Sequence, residues 1–139
     1  MVEWDIIKKL IKAFPRSYII ATGDGEAEFI AHRESNTYFR LIDCNTEFDV
    51  QCKVLEWLSR AAHKTAPYNS DRKNREFNKF ILNGINSYLG TNFTFDNMYI
   101  IYTYLGNRCN HERTVKFINS GYNMAVLHGC ATEMKGGAE

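Results

Sequence analysis

The chain has 139 residues, 45% hydrophobic, 14% aromatic and 24% charged, with a formal net charge of +1 at pH 7. That length suits one domain with a sizeable core, and with only two prolines and no linker-like composition before the last residues, disorder is not expected. The near-neutral balance argues against a general polyanion binder, and no run approaches the roughly 20 apolar residues of a membrane helix.

The N-terminal stretch MVEWDIIKKLIKAF carries Glu3, Asp5 and lysines inside its apolar pattern, which is not the order of a secretory signal. A cytoplasmic protein is therefore expected, with no membrane association and with Cys44, Cys52, Cys109 and Cys130 as free thiols. Charge is unevenly placed. Residues 1–50 hold nine acids against six bases, so the remainder is basic. Much of that excess lies in Arg60, Lys64, Arg72, Lys73, Arg75 and Lys79.

In chain order, residues 2–14 read as a helix with Ile6, Ile7, Leu10, Ile11 and Phe14 inward and Lys8, Lys9 and Lys12 outward; Pro15 stops it. Three short strands follow: Ser17–Thr22, Ala27–Arg33 and Thr37–Asp43. Gly23-Asp24-Gly25-Glu26 forms the first turn, because an Asp-Gly pair tolerates positive φ. In the third strand Phe39 and Leu41 alternate with Tyr38, Arg40 and Ile42, so one face should be buried.

Thr46 and Asp49 stand at capping spacing before a helix reaching Lys64, whose core stripe is Val50, Val54, Trp57, Leu58 and Ala61. Ala66–Ser70 is a loop. Arg72 to Leu89 is an amphipathic helix with Phe77, Phe80, Ile81, Ile85 and Tyr88 inside, ended by Gly90. Phe95 to Leu105, capped by Thr94, is apolar nearly all round and is expected to be the central helix on which the others pack. Asn110 caps a last helix, Glu112–Asn119, with Val115 and Ile118 inward, and Tyr122–Leu127 forms one more turn. The fold class is thus α+β: an N-terminal helix, a three-stranded antiparallel sheet, then a bundle of four or so helices. It spans residues 1–129 as a single domain, with 130–139 a flexible tail.

Chemistry-bearing patterns are sparse. Cys109, His111, His128 and Cys130 form a Cys2His2 set, but one intervening residue per pair is tighter than ordinary zinc-ligand spacing. No Cys or Ser lies in a nucleophile motif, and His111-Glu112 is not a metalloprotease pattern. GDGEAE lacks the Lys-Ser/Thr of a phosphate loop. No cofactor, metal or catalytic residue is assigned, and the chain reads as a non-enzyme.

Two stretches suit partner contact. One is the basic span Arg60, Lys64, Arg72, Arg75 and Lys79, whose competing reading is an ordinary solvated face. The other is the polar loop Asn107, Arg108, Asn110, His111 and Arg113. The helix pair around that loop also has a helix-turn-helix outline, which makes a DNA-binding regulator the first alternative, with a small enzyme or zinc protein behind it.

The segments LEWLSRAA, YLGN and FINSGYN resemble small proteins encoded by phages and prophages of low-GC Gram-positive bacteria, over residues 46–127. That resemblance implies a host-takeover or defence-evasion role, including inhibition of a CRISPR effector. The partner would be a host protein or nucleoprotein complex, with direct nucleic-acid contact and a homodimer both open. Against a nucleic-acid channel, Asp24, Glu26, Glu28 and Glu34 would be the DNA-mimicking contact; against bound RNA or DNA, the basic span would dock.

Overall fold

The computed structural model describes residues 2–23, 25–32, 37–64, 72–106 and 109–127, with the backbone alone for 63, 64, 72–75 and 77. The element order is α1 (Trp4–Ala13), β1 (Tyr18–Ala21), β2 (Ala27–Ile30), β3 (Tyr38–Arg40), a 3-10 turn (Leu41–Asp43), α2 (Glu47–Lys64), α3 (Arg72–Leu89), α4 (Phe95–Leu105) and α5 (His111–Asn119). This is the α+β arrangement the sequence predicts. The tail at 130–139 and the Ala66–Ser70 loop lie outside the described residues.

The three strands form an antiparallel meander, β1-β2-β3. The register aligns Ile19, Phe29 and Phe39 in one row and Tyr18, Ile30 and Tyr38 in the next. Side chains alternate across a sheet, so these rows lie on opposite faces. The first row is the inner one. Phe29 and Phe39 meet Trp57 of α2 with ring centroids 6.3 and 5.6 Å away, and Phe14, just past α1, stands edge-on to Trp57 at 5.7 Å. This aromatic knot fixes the sheet to the helical layer. The third strand is shorter than expected: it ends at Arg40, opposite Glu28. Leu41–Asp43 turns as a 3-10 helix, yet Leu41 stays buried and Ile42 exposed as the alternation predicts.

The helix at the centre is α2, not α4. Val50, Val54, Trp57 and Ala61 bury one side, Leu55, Leu58, Ser59 and Ala62 the next. At 100° per residue these positions cover roughly 200° of the circumference. α2 packs on α3, α4 and α5, and through Trp57 on the sheet. α4 buries Met98, Ile101, Tyr104 and Leu105 against this hub but leaves Phe95 and Tyr99 outside. The expectation of a central α4 is corrected for a physical reason: half of its apolar count is aromatic, and tyrosine carries a polar tip that water accepts.

Three smaller expectations also shift. Ile11 is 37% exposed and Ile6 only half-buried, so the inner stripe of α1 is Ile7, Leu10 and Phe14. α5 buries Thr114 and Phe117, with Val115 and Ile118 half-buried, because the bulk of Phe117 fills the space beside Phe93 and Tyr122. On α3, Phe80 is half-buried beside His32 and Arg16, while the Phe77 side chain is outside the described residues.

The caps follow the sequence closely. Thr46 Oγ1 accepts from Asp49 N–H (3.3 Å), and the Asp49 carboxylate accepts from the N–H groups of Thr46 (3.1 Å) and Asn45 (2.9 Å). Aspartate thus does the work of the usual Glu or Gln. Thr94 and Asn97 form a second reciprocal box at α4. Asn86 ties the α3–α4 connection: its side chain donates to Phe93 O (3.0 Å) and accepts from Phe93 N–H and the Thr91 hydroxyl, both at 2.8 Å.

Candidate binding surface

The loop from α4 to α5 is shaped by backbone requirements. Gly106 (φ 80°) closes α4, and Cys109 sits in the left-handed region at φ 48°, unusual for a residue with a Cβ. That turn lets Asn110 N–H donate to Leu105 O at 2.8 Å and aims the Asn110 side chain at Arg113 N–H (3.1 Å), starting α5. Arg113 then turns back. Its Nη1 donates to Tyr104 O (2.8 Å) and its guanidinium lies 5.5 Å from the Tyr104 ring centroid. A carbonyl at the end of α4 is thereby satisfied by a cation, which also suits the negative end of the helix dipole.

The loop rests on α2. The Cys109 thiol lies against Ser59 and within electrostatic reach of Glu56 and Arg60. Arg60 itself pairs with Glu56 at 2.8 Å, and Lys53 reaches the same carboxylate at 3.4 Å. The structure therefore sets Arg60, from the basic span, near Cys109 in the α4–α5 connection. His111 is exposed at the first position of α5, and Lys79 is exposed on α3. The side chains of Lys64, Arg72 and Arg75, and all of Asn107 and Arg108, lie outside the described residues. Of the acidic set, Glu26 is ion-paired with Arg40 and Glu28 is half-buried on the outer sheet face, while Asp24 and Glu34 are outside the described residues.

Two apolar surfaces were not singled out by sequence. On α4, Phe95, Tyr99 and Tyr102 follow i, i+4, i+7 spacing; Phe95 is 40% and Tyr99 43% exposed, and the Tyr99 and Tyr102 rings are 6.3 Å apart. In this aromatic ladder Phe95 and Tyr99 lie on the exposed side of α4, while Tyr102 is half-buried against the core at the margin of that side. On the sheet, Tyr18, Ile20 and Tyr38 are exposed around Ile30 on the outer face. Signals for both existed: helical spacing of aromatics for the first, apolar residues at both phases of a strand for the second.

The three described thiols share one direction of shift. Burial, then the Asp49 carboxylate, pushes the Cys44 thiol up to about 11. Burial also raises Cys52, with Asp49 adding to it. Burial raises Cys109, partly offset by the Ser59 hydroxyl. A thiol raised this way stays protonated near neutral pH and is a poor nucleophile. Tyr88 and Tyr122 are raised by burial as well. Among the described residues no three His, Cys, Asp or Glu side chains gather as a metal site; His128 and Cys130 lie outside them. No described helix is long and apolar enough to cross a membrane.

Comparison with protein families, curated proteins and solved structures finds no match to this chain.

Proposed function

We propose that this chain is a non-enzymatic binding protein that docks on another protein through the α4 ladder and the α4–α5 corner. The observation that carries this reading is the exposed pair Phe95 and Tyr99, one turn apart on a helix that is already seated on α2 by its buried residues. Aromatic side chains on a rigid helix give large contact area at little entropic cost, and such anchors dominate protein interfaces. The buried Cys44 and half-buried Cys52, both with raised pKa, fit a binding role better than a nucleophilic one. The partner chemistry is an apolar groove that takes the Phe95 and Tyr99 rings. The phage-like segments YLGN and FINSGYN favour a host protein or nucleoprotein complex, a CRISPR effector among them, with the host cytoplasm as the place of action.

The helix-turn-helix alternative is less favoured. Arg113 faces Tyr104 rather than outward, and the carboxylate of Glu112 stands exposed in the first turn of α5, where it would repel a phosphate backbone.

The test uses Phe95→Asp and Tyr99→Asp, both at exposed positions and both checked for unchanged circular dichroism. Protein captured from host lysate by the wild type is identified, purified and titrated calorimetrically. Each substitution should weaken binding by about tenfold or more, or ~1.4 kcal/mol. Unchanged affinity, or no specific capture at physiological salt, overturns the reading. Retention of duplex DNA with a steep salt dependence would move the conclusion to the DNA-binding alternative.

A further inference from the structure

The sheet has two edges, and they differ. β3 presents Arg40, ion-paired with Glu26, and runs directly into the 3-10 turn. A charged residue on an edge strand guards it against further pairing. β1 has no such guard. Tyr18–Ala21 contains no charge and no proline, three of its four residues are exposed, and among the described residues no strand lies beyond it.

The direction of its backbone groups follows from the ladder. Thr22 N–H donates to Glu26 O at 2.8 Å, so Thr22, Ile20 and Tyr18 turn their groups toward β2. By alternation Ile19 and Ala21 turn theirs outward, to the open edge. This edge is independent of the α4 ladder.

We infer that β1 pairs antiparallel with β1 of a second copy of this chain, about a two-fold axis at Ile20. In that register Ile19 exchanges both backbone hydrogen bonds with the second copy's Ala21, and the reverse holds across the axis, giving about four bonds. Every outward donor meets an outward acceptor. A slip of one residue would set outward groups against inward ones and reverse the faces. Side chains also match. Ile19 faces the small Ala21 of the second copy, Tyr18 faces its Thr22, and Ile20 meets Ile20 at the close cross-strand spacing.

Charge selects the occupant. The charged neighbours Glu28 and Arg40 stand one and two strands in from the edge, so no like charges meet across the axis. A charged peptide would find no countercharge on β1, whereas the chain's own uncharged edge needs none. Pairing continues each three-stranded sheet into the other and joins the outer faces carrying Tyr18, Ile20 and Ile30, as expected of an isologous interface.

Sedimentation equilibrium of the full chain over a concentration series tests this, with Ile20→Lys and Ile20→Glu alone and mixed in equal amounts. Ile20 is 43% exposed, so both variants should fold, as circular dichroism would check. The wild type should dimerise. Each variant alone sets like charges directly opposite and should lose at least about tenfold in association, while the mixture should restore dimers. In the wild type the Ile19 and Ala21 amides should exchange slowly with solvent at dimeric concentrations, and quickly in Ile20→Lys. A wild type monomeric throughout, variants that dimerise alone, or a mixture that stays monomeric each overturns the inference. Phe95→Asp and Tyr99→Asp should leave the dimer intact, which separates this interface from the proposed docking surface.

Discussion

Gly84 lies inside α3, where glycine weakens a helix by about 1 kcal/mol relative to alanine. Propensity alone therefore predicts that Gly84→Ala stabilises. The structure predicts the opposite. A Cβ at Gly84 would lie 2.9 Å from Cζ of Phe14 and closer still to its Cε1 and Cδ1. Phe14 cannot easily withdraw: it is fully buried, edge-on to Trp57 at 5.7 Å and to Phe29 at 6.5 Å. Moving the ring disturbs the contact that joins α1, the sheet and α2. Overpacking of this kind costs typically 1–3 kcal/mol, and a ring locked on two sides belongs near the upper end of that range. Subtracting the propensity gain leaves a net loss of about 1–2 kcal/mol. Urea unfolding followed by tryptophan fluorescence should show a lower midpoint with an unchanged slope. Repeating Gly84→Ala in a Phe14→Leu background should turn the loss into a gain approaching about 1 kcal/mol, since the ring edge is gone and the propensity term remains. A midpoint that rises when Phe14 is present, or a cost that persists in the Phe14→Leu background, would refute the steric argument.

Two further expectations follow from the caps. The Asp49 carboxyl is held below the usual carboxylate range, first by the Asn45 N–H and then by that of Thr46. A depressed folded-state pKa adds stability that is present above the unfolded value, near about pH 4, and is lost as pH falls through the lower folded value. Asp49→Asn should lower stability near neutral pH by about 0.3–1 kcal/mol and flatten the acid limb of a stability–pH curve; an unchanged limb would reject the assignment. Arg113→Met should cost about 1–2 kcal/mol by leaving Tyr104 O without its partner, with Arg113→Lys between the two; chemical denaturation of the three proteins checks the order.

Much of the fold is legible in the sequence because it rests on local chemistry. Thr46 with Asp49, Thr94 with Asn97, and Asn110 each satisfy free N–H groups at a helix start, and such partners are set by spacing alone. The choice of central helix is not local. α2 hides Ser59 and Ala62 in the interior, and neither looks apolar enough to announce a second buried face. α4 looks fully apolar because Tyr99 and Tyr102 count toward hydrophobicity, yet a phenol can end in water. Similarly, Gly84 reads as a weak point in a helix until the Phe14 ring is seen to occupy the space of its missing Cβ.

The candidate surfaces follow the same division. The sequence marks the Asn110–Arg113 corner as polar and cationic, and the structure redirects its strongest cation, Arg113, onto a carbonyl nine residues earlier, which depends on Cys109 adopting a positive φ. In β1 both phases of the strand are apolar, so alternation cannot say whether Ile19 or Ile20 faces the core. That choice is made at a distance, by Phe14 and Trp57 gathering on the Phe29–Phe39 side. Once it is made, Tyr18 and Ile20 are left facing water on an edge without a charge. Two apolar side chains per strand are ordinary on a surface; on an unguarded edge with outward amides they invite a further strand. The same knot of aromatic rings that holds the monomer together therefore also determines which side of it is left to pair.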